Sequence, residues 1–205
     1  MKIYLSPSTQ ENNVGVGNYG TEEKRMNQLT DILQALLVKY GYQVFRNNPS
    51  MSLTEVVRDS NAKAPDLHFA IHTNAGGGRG CEIYCHKFGG NGEKYARAIY
   101  KFIEPLTPSA DRGVKEGANH FGQDKPLYEL AYTTAPAVLV EIIFHDNETD
   151  AEFLVNNMQP LATAILNGIN EVAGVDPIVE LIDYKQKYND LVDAINELIA
   201  KYERG

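Results

Sequence analysis

Apolar positions recur at two spacings along this chain, and the switches between them mark its elements. Residues 2–5 read as a first strand, followed by a Gly/Asn/Ser-rich loop over 6–20 of a length usually tied to function or mobility. Over 22–40 the spacing becomes helical: Met26, Leu29, Ile32, Leu33, Leu36 and Leu37 share one face. Thr21 can cap this helix, Glu22 and Glu23 suit the positive end of its dipole, and Gly41 stops it. A second strand follows over 42–46. Ser52 with Glu55 forms a capping box for a helix to about residue 62. Leu67-His68-Phe69-Ala70-Ile71 then leads as a buried strand into His72, and four glycines between Gly76 and Gly80 turn the backbone. The pattern continues with a strand over 80–86, a helix over 92–104 and a turn-rich link over 105–113. Residues 137–144 are a near-continuous apolar run, as expected of a central strand buried on both faces. Thr149 with Glu152 opens a last helix toward Val172, with an interruption possible at Pro160. Strands alternating with helices predict an α/β fold, a largely parallel twisted sheet with helices on both faces.

Beyond Gly174 the period changes again. Ile178, Leu181, Tyr188, Val192, Ile195, Ile199 and Tyr202 fall at alternating steps of four and three, and Tyr184, Leu191 and Leu198 widen the stripe. This predicts an amphipathic helix of roughly four heptads, about 40 Å long. The chain therefore divides into a main domain over 1–174 and a C-terminal helix over 175–205. The stripe needs cover, which either the main domain or a second copy of the chain, through residues 178–202, can supply.

Composition narrows the function. The 205 residues are 43% hydrophobic and 22% charged, with a net charge of −8. Without a dense Lys/Arg run there is no electrostatic footprint for nucleic acid or for an anionic membrane surface. No apolar stretch has the length of a signal peptide or a membrane span, so synthesis in the cytoplasm is expected. Cys81 and Cys85, the two cysteines, lie about 13 Å apart on an extended chain and read as small core residues.

Three groups stand out by position: Glu23 in the first turn of the first helix, His72 at a strand end, and Glu141 inside the apolar run. In a parallel sheet, strand carboxyl ends and helix amino ends share one edge, where the three can converge. Two carboxylates and an imidazole suit a zinc site with a separate carboxylate base. Glu141 in particular needs a partner, a proton or a metal to offset its desolvation. His68 shares the strand face of His72 but lies some 13 Å back, too far for a common metal, and reads as a packed core histidine. No Ser or Cys nucleophile motif and no phosphate-binding glycine loop is present.

Four ordered segments carry a resemblance: Thr21-Glu22-Glu23-Lys24-Arg25-Met26-Asn27, Ala70-Ile71-His72-Thr73-Asn74-Ala75, Asp111-Arg112-Gly113-Val114-Lys115, and Pro136 to Asn147 with Glu141 at its centre. Over residues 1 to about 172 the chain resembles the zinc-dependent N-acetylmuramoyl-L-alanine amidases of the amidase-3 type, familiar from phage endolysins and bacterial autolysins. The resemblance implies that Glu23 and His72 are zinc ligands and Glu141 is the general base and acid. It also implies a peptidoglycan substrate, cut between N-acetylmuramic acid and the first L-alanine of the stem peptide, and action at the bacterial cell wall. Gly76 to Gly80 and the segment 117–125 would border the substrate groove. One position departs from the family: its first zinc histidine follows the first strand, whereas this chain has Ser6-Pro7-Ser8-Thr9-Gln10-Glu11-Asn12-Asn13, with Thr9 at the histidine's place. Glu11 is chemically the best substitute ligand there, Gln10 and Asn12 offer neutral amide oxygens, and His145 is a further candidate. Loss of that histidine opens an alternative in which the chain is a pseudo-amidase, a wall-binding or scaffold protein.

Overall fold

The computed structural model describes residues 1–108 and 111–176, together with Val192, Ala194, Ile195 and Ile199. The amphipathic helix expected over 178–202 lies, apart from those four positions, outside the described residues, and self-association through it remains an expectation. Six strands form one sheet: β1 (Lys2–Pro7), β2 (Gln43–Arg46), β3 (Leu67–Asn74), β4 (Glu82–Cys85), β5 (Val114–Glu116) and β6 (Ala137–Phe144), in the spatial order β2-β1-β3-β6-β4-β5. Neighbouring strands run parallel except at β4 and β6, which are antiparallel. The edge strands β2 and β5 have four and three residues.

The sheet is covered on both faces. One carries α1 (Glu22–Lys39), α3 (Asn91–Ile103) and α6 (Met158–Ala173), packed on Ile3, Leu5, Phe69, Ile71, Ile83, Val138 and Val140. The other carries α2 (Leu53–Lys63) and the short α4 (Tyr128–Tyr132), with Ala70, Tyr84, Leu130, Ala137 and Leu139 clustered beneath. Both cysteines are buried and unbonded, as small core residues should be. Gly168 sets the distance between α3 and α6, because a Cβ on it would stand 2.3 Å from Ile99 Cα. Among the described residues no helix is long and apolar enough to cross a membrane.

Local signals fixed most boundaries. Thr21 caps α1 by accepting from the Lys24 amide, Ser52 and Glu55 form the full capping box of α2, and Gly41 leaves α1 at φ 82°. The helix expected over 149–172 is two: α5 (Glu148–Asn156) ends at Asn157, and Pro160 sits in the first turn of α6, where a missing N–H costs nothing. Asn147, and not Thr149, caps α5, its side chain accepting from the Asp150 amide.

Candidate active site

Register places three ionisable groups abreast. His72 on β3 lies opposite Glu141 on β6, and Glu141 lies opposite Glu82 on β4. The reversal of β4 is what brings Glu82 there, since its amino end meets the carboxyl ends of β3 and β6. The amino end of α1 reaches the same edge and contributes a carboxylate. His72, Glu141 and that helix carboxylate open onto a cleft of about 390 Å³, which Gln10, Asn13, His120, Phe121 and Tyr128 also line.

The helix carboxylate at this edge is Glu22. Its Oε1 lies 2.9 Å from His72 Nδ1, its Oε2 accepts from Asn13 Nδ2 at 2.6 Å, and its side chain is fully buried. Glu23, one residue and about 100° further round the helix, instead lines a separate hollow of about 740 Å³ with the exposed Glu11. The structure thus corrects two sequence expectations: neither Glu23 nor Glu11 is brought to His72. A readable signal existed, because the buried stripe Met26, Leu29, Leu33 and Leu37 extends back by four and seven residues to Glu22. His145 is also committed elsewhere. Its Nδ1 lies 3.0 Å from Thr73 Oγ1 and its Nε2 lies 3.1 Å from Asn13 Oδ1, so it props Asn13 against Glu22.

On the far side of His72 stands a residue with no sequence signal. Glu129, near the start of α4, has Oε1 3.7 Å from His72 Nε2, while its Oε2 accepts from Ser6 Oγ at 2.5 Å and pairs with His68 Nε2 at 2.8 Å. His68 is therefore more than core packing: Ser60 Oγ holds its Nδ1 at 2.9 Å and Tyr4 stacks on its ring.

Burial, neighbouring charge and hydrogen bonds divide the carboxylates. Burial resists ionisation of Glu22 and Glu129, but hydrogen bonds from His72 and Asn13 to Glu22, and the hydrogen bond of His68 and the nearby His72 at Glu129, hold both below the usual range. Glu82 is likewise held down against burial by Lys115 and Arg112. Burial would lower the pKa of His72, yet Glu129, Glu22 and the charge of Glu141 raise it well above the ordinary value. Glu141 alone goes the other way. Burial, helped by the charges of Glu22 and Glu82 and opposed by His72, pushes its carboxyl up to about 8. Its Oε2 is buried and has no hydrogen-bond partner among the described residues.

Among the described residues, no three His, Cys, Asp or Glu side chains are gathered as a ready-made metal cluster. His72 Nδ1 and Glu22 Oε1 nonetheless fit two corners of one zinc site. Two ligands at about 2.0–2.1 Å from a tetrahedral ion lie roughly 3.3 Å apart, and these atoms are already 2.9 Å apart. Glu141, opposite His72 on the adjacent strand, lines the same cleft as these two residues.

This edge can be compared with known proteins. The sequence pattern of N-acetylmuramoyl-L-alanine amidases of the amidase-3 type matches residues 3–171. The chain belongs to that family. As such it is a peptidoglycan amidase, and the scaffold alternative is not favoured. The N-acetylmuramoyl-L-alanine amidase CwlM of Bacillus licheniformis is 28% identical over 178 residues, 82% of this chain and 67% of that protein. The amidase LytC of Bacillus subtilis is 28% identical over 74% of this chain but only 31% of its own length. Among solved structures, the catalytic domain of CwlV from Bacillus (Paenibacillus) polymyxa superposes with a TM-score of 0.74 at 20% identity, covering 85% of this chain and 99% of that one, and shares the fold. Cwp6 from Clostridium difficile superposes at 0.73 with 29% identity, over 83% of this chain and 29% of its own.

Proposed function

We propose that this amidase works with zinc held by His72 and Glu22, and that Glu141 carries the proton between the attacking water and the leaving amine. The observation that carries the reading is the Glu141 carboxyl, buried beside His72 with one oxygen unpartnered. Zinc bound there would polarise the scissile carbonyl and acidify a water. Glu141 would take the proton from the attacking water as the water oxygen bonds to the lactyl carbonyl carbon, and return it to the nitrogen of L-alanine as the C–N bond breaks. Asn13, held by His145, keeps Glu22 turned toward His72. Glu82, paired with Arg112 and Lys115, is tied up in the wall of the site and has no free proton to exchange.

Digestion of purified peptidoglycan tests the reaction: free N-terminal L-alanine is the expected new end, and new reducing sugar ends would contradict it. The metal assignment has its own measurement, zinc content after dialysis. Glu22→Gln is expected to lose most of its zinc, whereas Glu23→Gln and Glu11→Gln keep it. The reverse pattern would return the ligand role to Glu23 and dismiss Glu22.

A further inference from the structure

The imidazole of His72 lies between two carboxylates on opposite ring edges, Glu22 at Nδ1 and Glu129 at Nε2. One metal ion can bond to only one ring nitrogen, so the two carboxylates have different tasks. Glu22 lines the cleft together with Glu141, its Oε2 accepting from Asn13 and its Oε1 from the Thr73 amide. Glu129 is anchored from behind. Ser6 on β1, and His68 on β3 with Ser60 of α2 behind it, engage its Oε2, leaving Oε1 directed at His72. At 3.7 Å that approach is an ion-pair distance, and a shift of under about 1 Å makes it a hydrogen bond.

We infer that Glu129 is a positioning residue: it takes the Nε2–H of His72 and so presents Nδ1, on the Glu22 side, as the nitrogen that binds metal. The inference rests on the zinc reading given above. Histidines that bind metals generally donate their other N–H to a carboxylate or carbonyl, which fixes the tautomer and the plane of the ring. The need is acute in this chain, because among the described residues no third His, Cys, Asp or Glu is gathered with His72 and Glu22 as a ready-made metal cluster, so orientation of this one imidazole carries much of the affinity. The arrangement also gives a reason for three polar residues, Ser6, Ser60 and His68, to be buried among apolar strands and helices.

The test measures zinc affinity of the full chain by competition with a chromogenic chelator, and reads the His72 ring in the zinc-loaded protein by long-range ¹H–¹⁵N correlation. Wild type is expected to show a protonated Nε2 and a metal-bound Nδ1. Glu129→Leu, which removes the acceptor, should weaken zinc about 100-fold, the upper end for such partners. Glu129→Gln keeps an oxygen acceptor without the charge and should weaken it about tenfold. A metal-bound Nε2 in wild type would overturn the inference, since Glu129 would then stand on the metal's side. Wild-type affinity in a folded Glu129→Leu protein would overturn it as well; should that variant not fold, unchanged affinity in Glu129→Gln decides the same way. Failure of wild type itself to bind zinc in the titration would overturn the zinc reading and this inference together. The two failures are therefore distinguishable.

Discussion

Glu141→Gln is expected to fold, to keep its zinc and to lose turnover by a factor on the order of 10² to 10⁴, the contribution of a positioned acid-base. The amide fills the same space beside His72 but cannot accept and return a proton. His72→Ala should behave differently, losing zinc and activity together. Near wild-type hydrolysis of peptidoglycan by Glu141→Gln would refute the mechanism. The same variant has a second signature in the metal-free protein. The Glu141 carboxyl is raised to about 8 in the folded chain, against about 4.3 in an unfolded one. Between these values the folded state holds the extra proton, so this group's contribution to stability falls as pH rises. The wild type loses on the order of a few kcal/mol from this source by pH 8, and Glu141→Gln does not. The melting temperature of the variant should therefore gain on wild type between pH 5 and pH 8. Parallel melting curves across that range would show that the buried carboxyl is not under this strain.

Gly168→Val is expected to be the most damaging substitution of a residue outside the active site. A Cβ at this position would meet Ile99 Cα at 2.3 Å, Ile99 N at 2.6 Å and Ala98 C at 2.9 Å. All three are backbone atoms, so no side chain can swing aside, and α3 and α6 must separate. That separation opens the layer where Ile99, Ile103, Ile165 and Ile169 pack. Overpacking of this kind costs about 1–3 kcal/mol or more, a substantial part of the 5–15 kcal/mol that typically holds a domain together. At 2–4 °C per kcal/mol for a chain of this size, thermal melting should shift by roughly 5 °C or more. A shift within about 1 °C would mean that the helices can part freely there.

Much of this molecule could be read from its sequence because local rules and long-range packing agreed. The apolar run over Ala137–Phe144, the stripe of α1 and the caps Thr21 and Ser52 each state one structure in one way. Strand direction was a different matter. Alternation identifies Glu82–Cys85 as a strand but carries no sign of its reversal, so the arrival of Glu82 beside Glu141 was not legible. The choice between Glu22 and Glu23 turned on helical phase: motif spacing favoured one residue, while the buried stripe of α1 pointed to its neighbour. Glu129 was unreadable for another reason. It lies on a five-residue helix, too short for a period to declare which side faces inward, and its partners Ser6, His68 and His72 come from strands far away in sequence.

The two ends of the sheet have a bearing on how the protein behaves when crowded. An outermost strand offers a row of unpaired amides and carbonyls on which another chain can build, and the length of that row sets how well a stranger can be templated. Here the outermost strands are Gln43–Arg46 and Val114–Glu116, and both carry cationic side chains, Arg46 and Lys115, engaged with Asp31 and Glu82. The long, strongly apolar strands β3 and β6 are shut inside the sheet with neighbours on either side. Among the described residues, edge addition thus finds only two short, charged rims, and templating on β3 or β6 requires the interior of the sheet to open first.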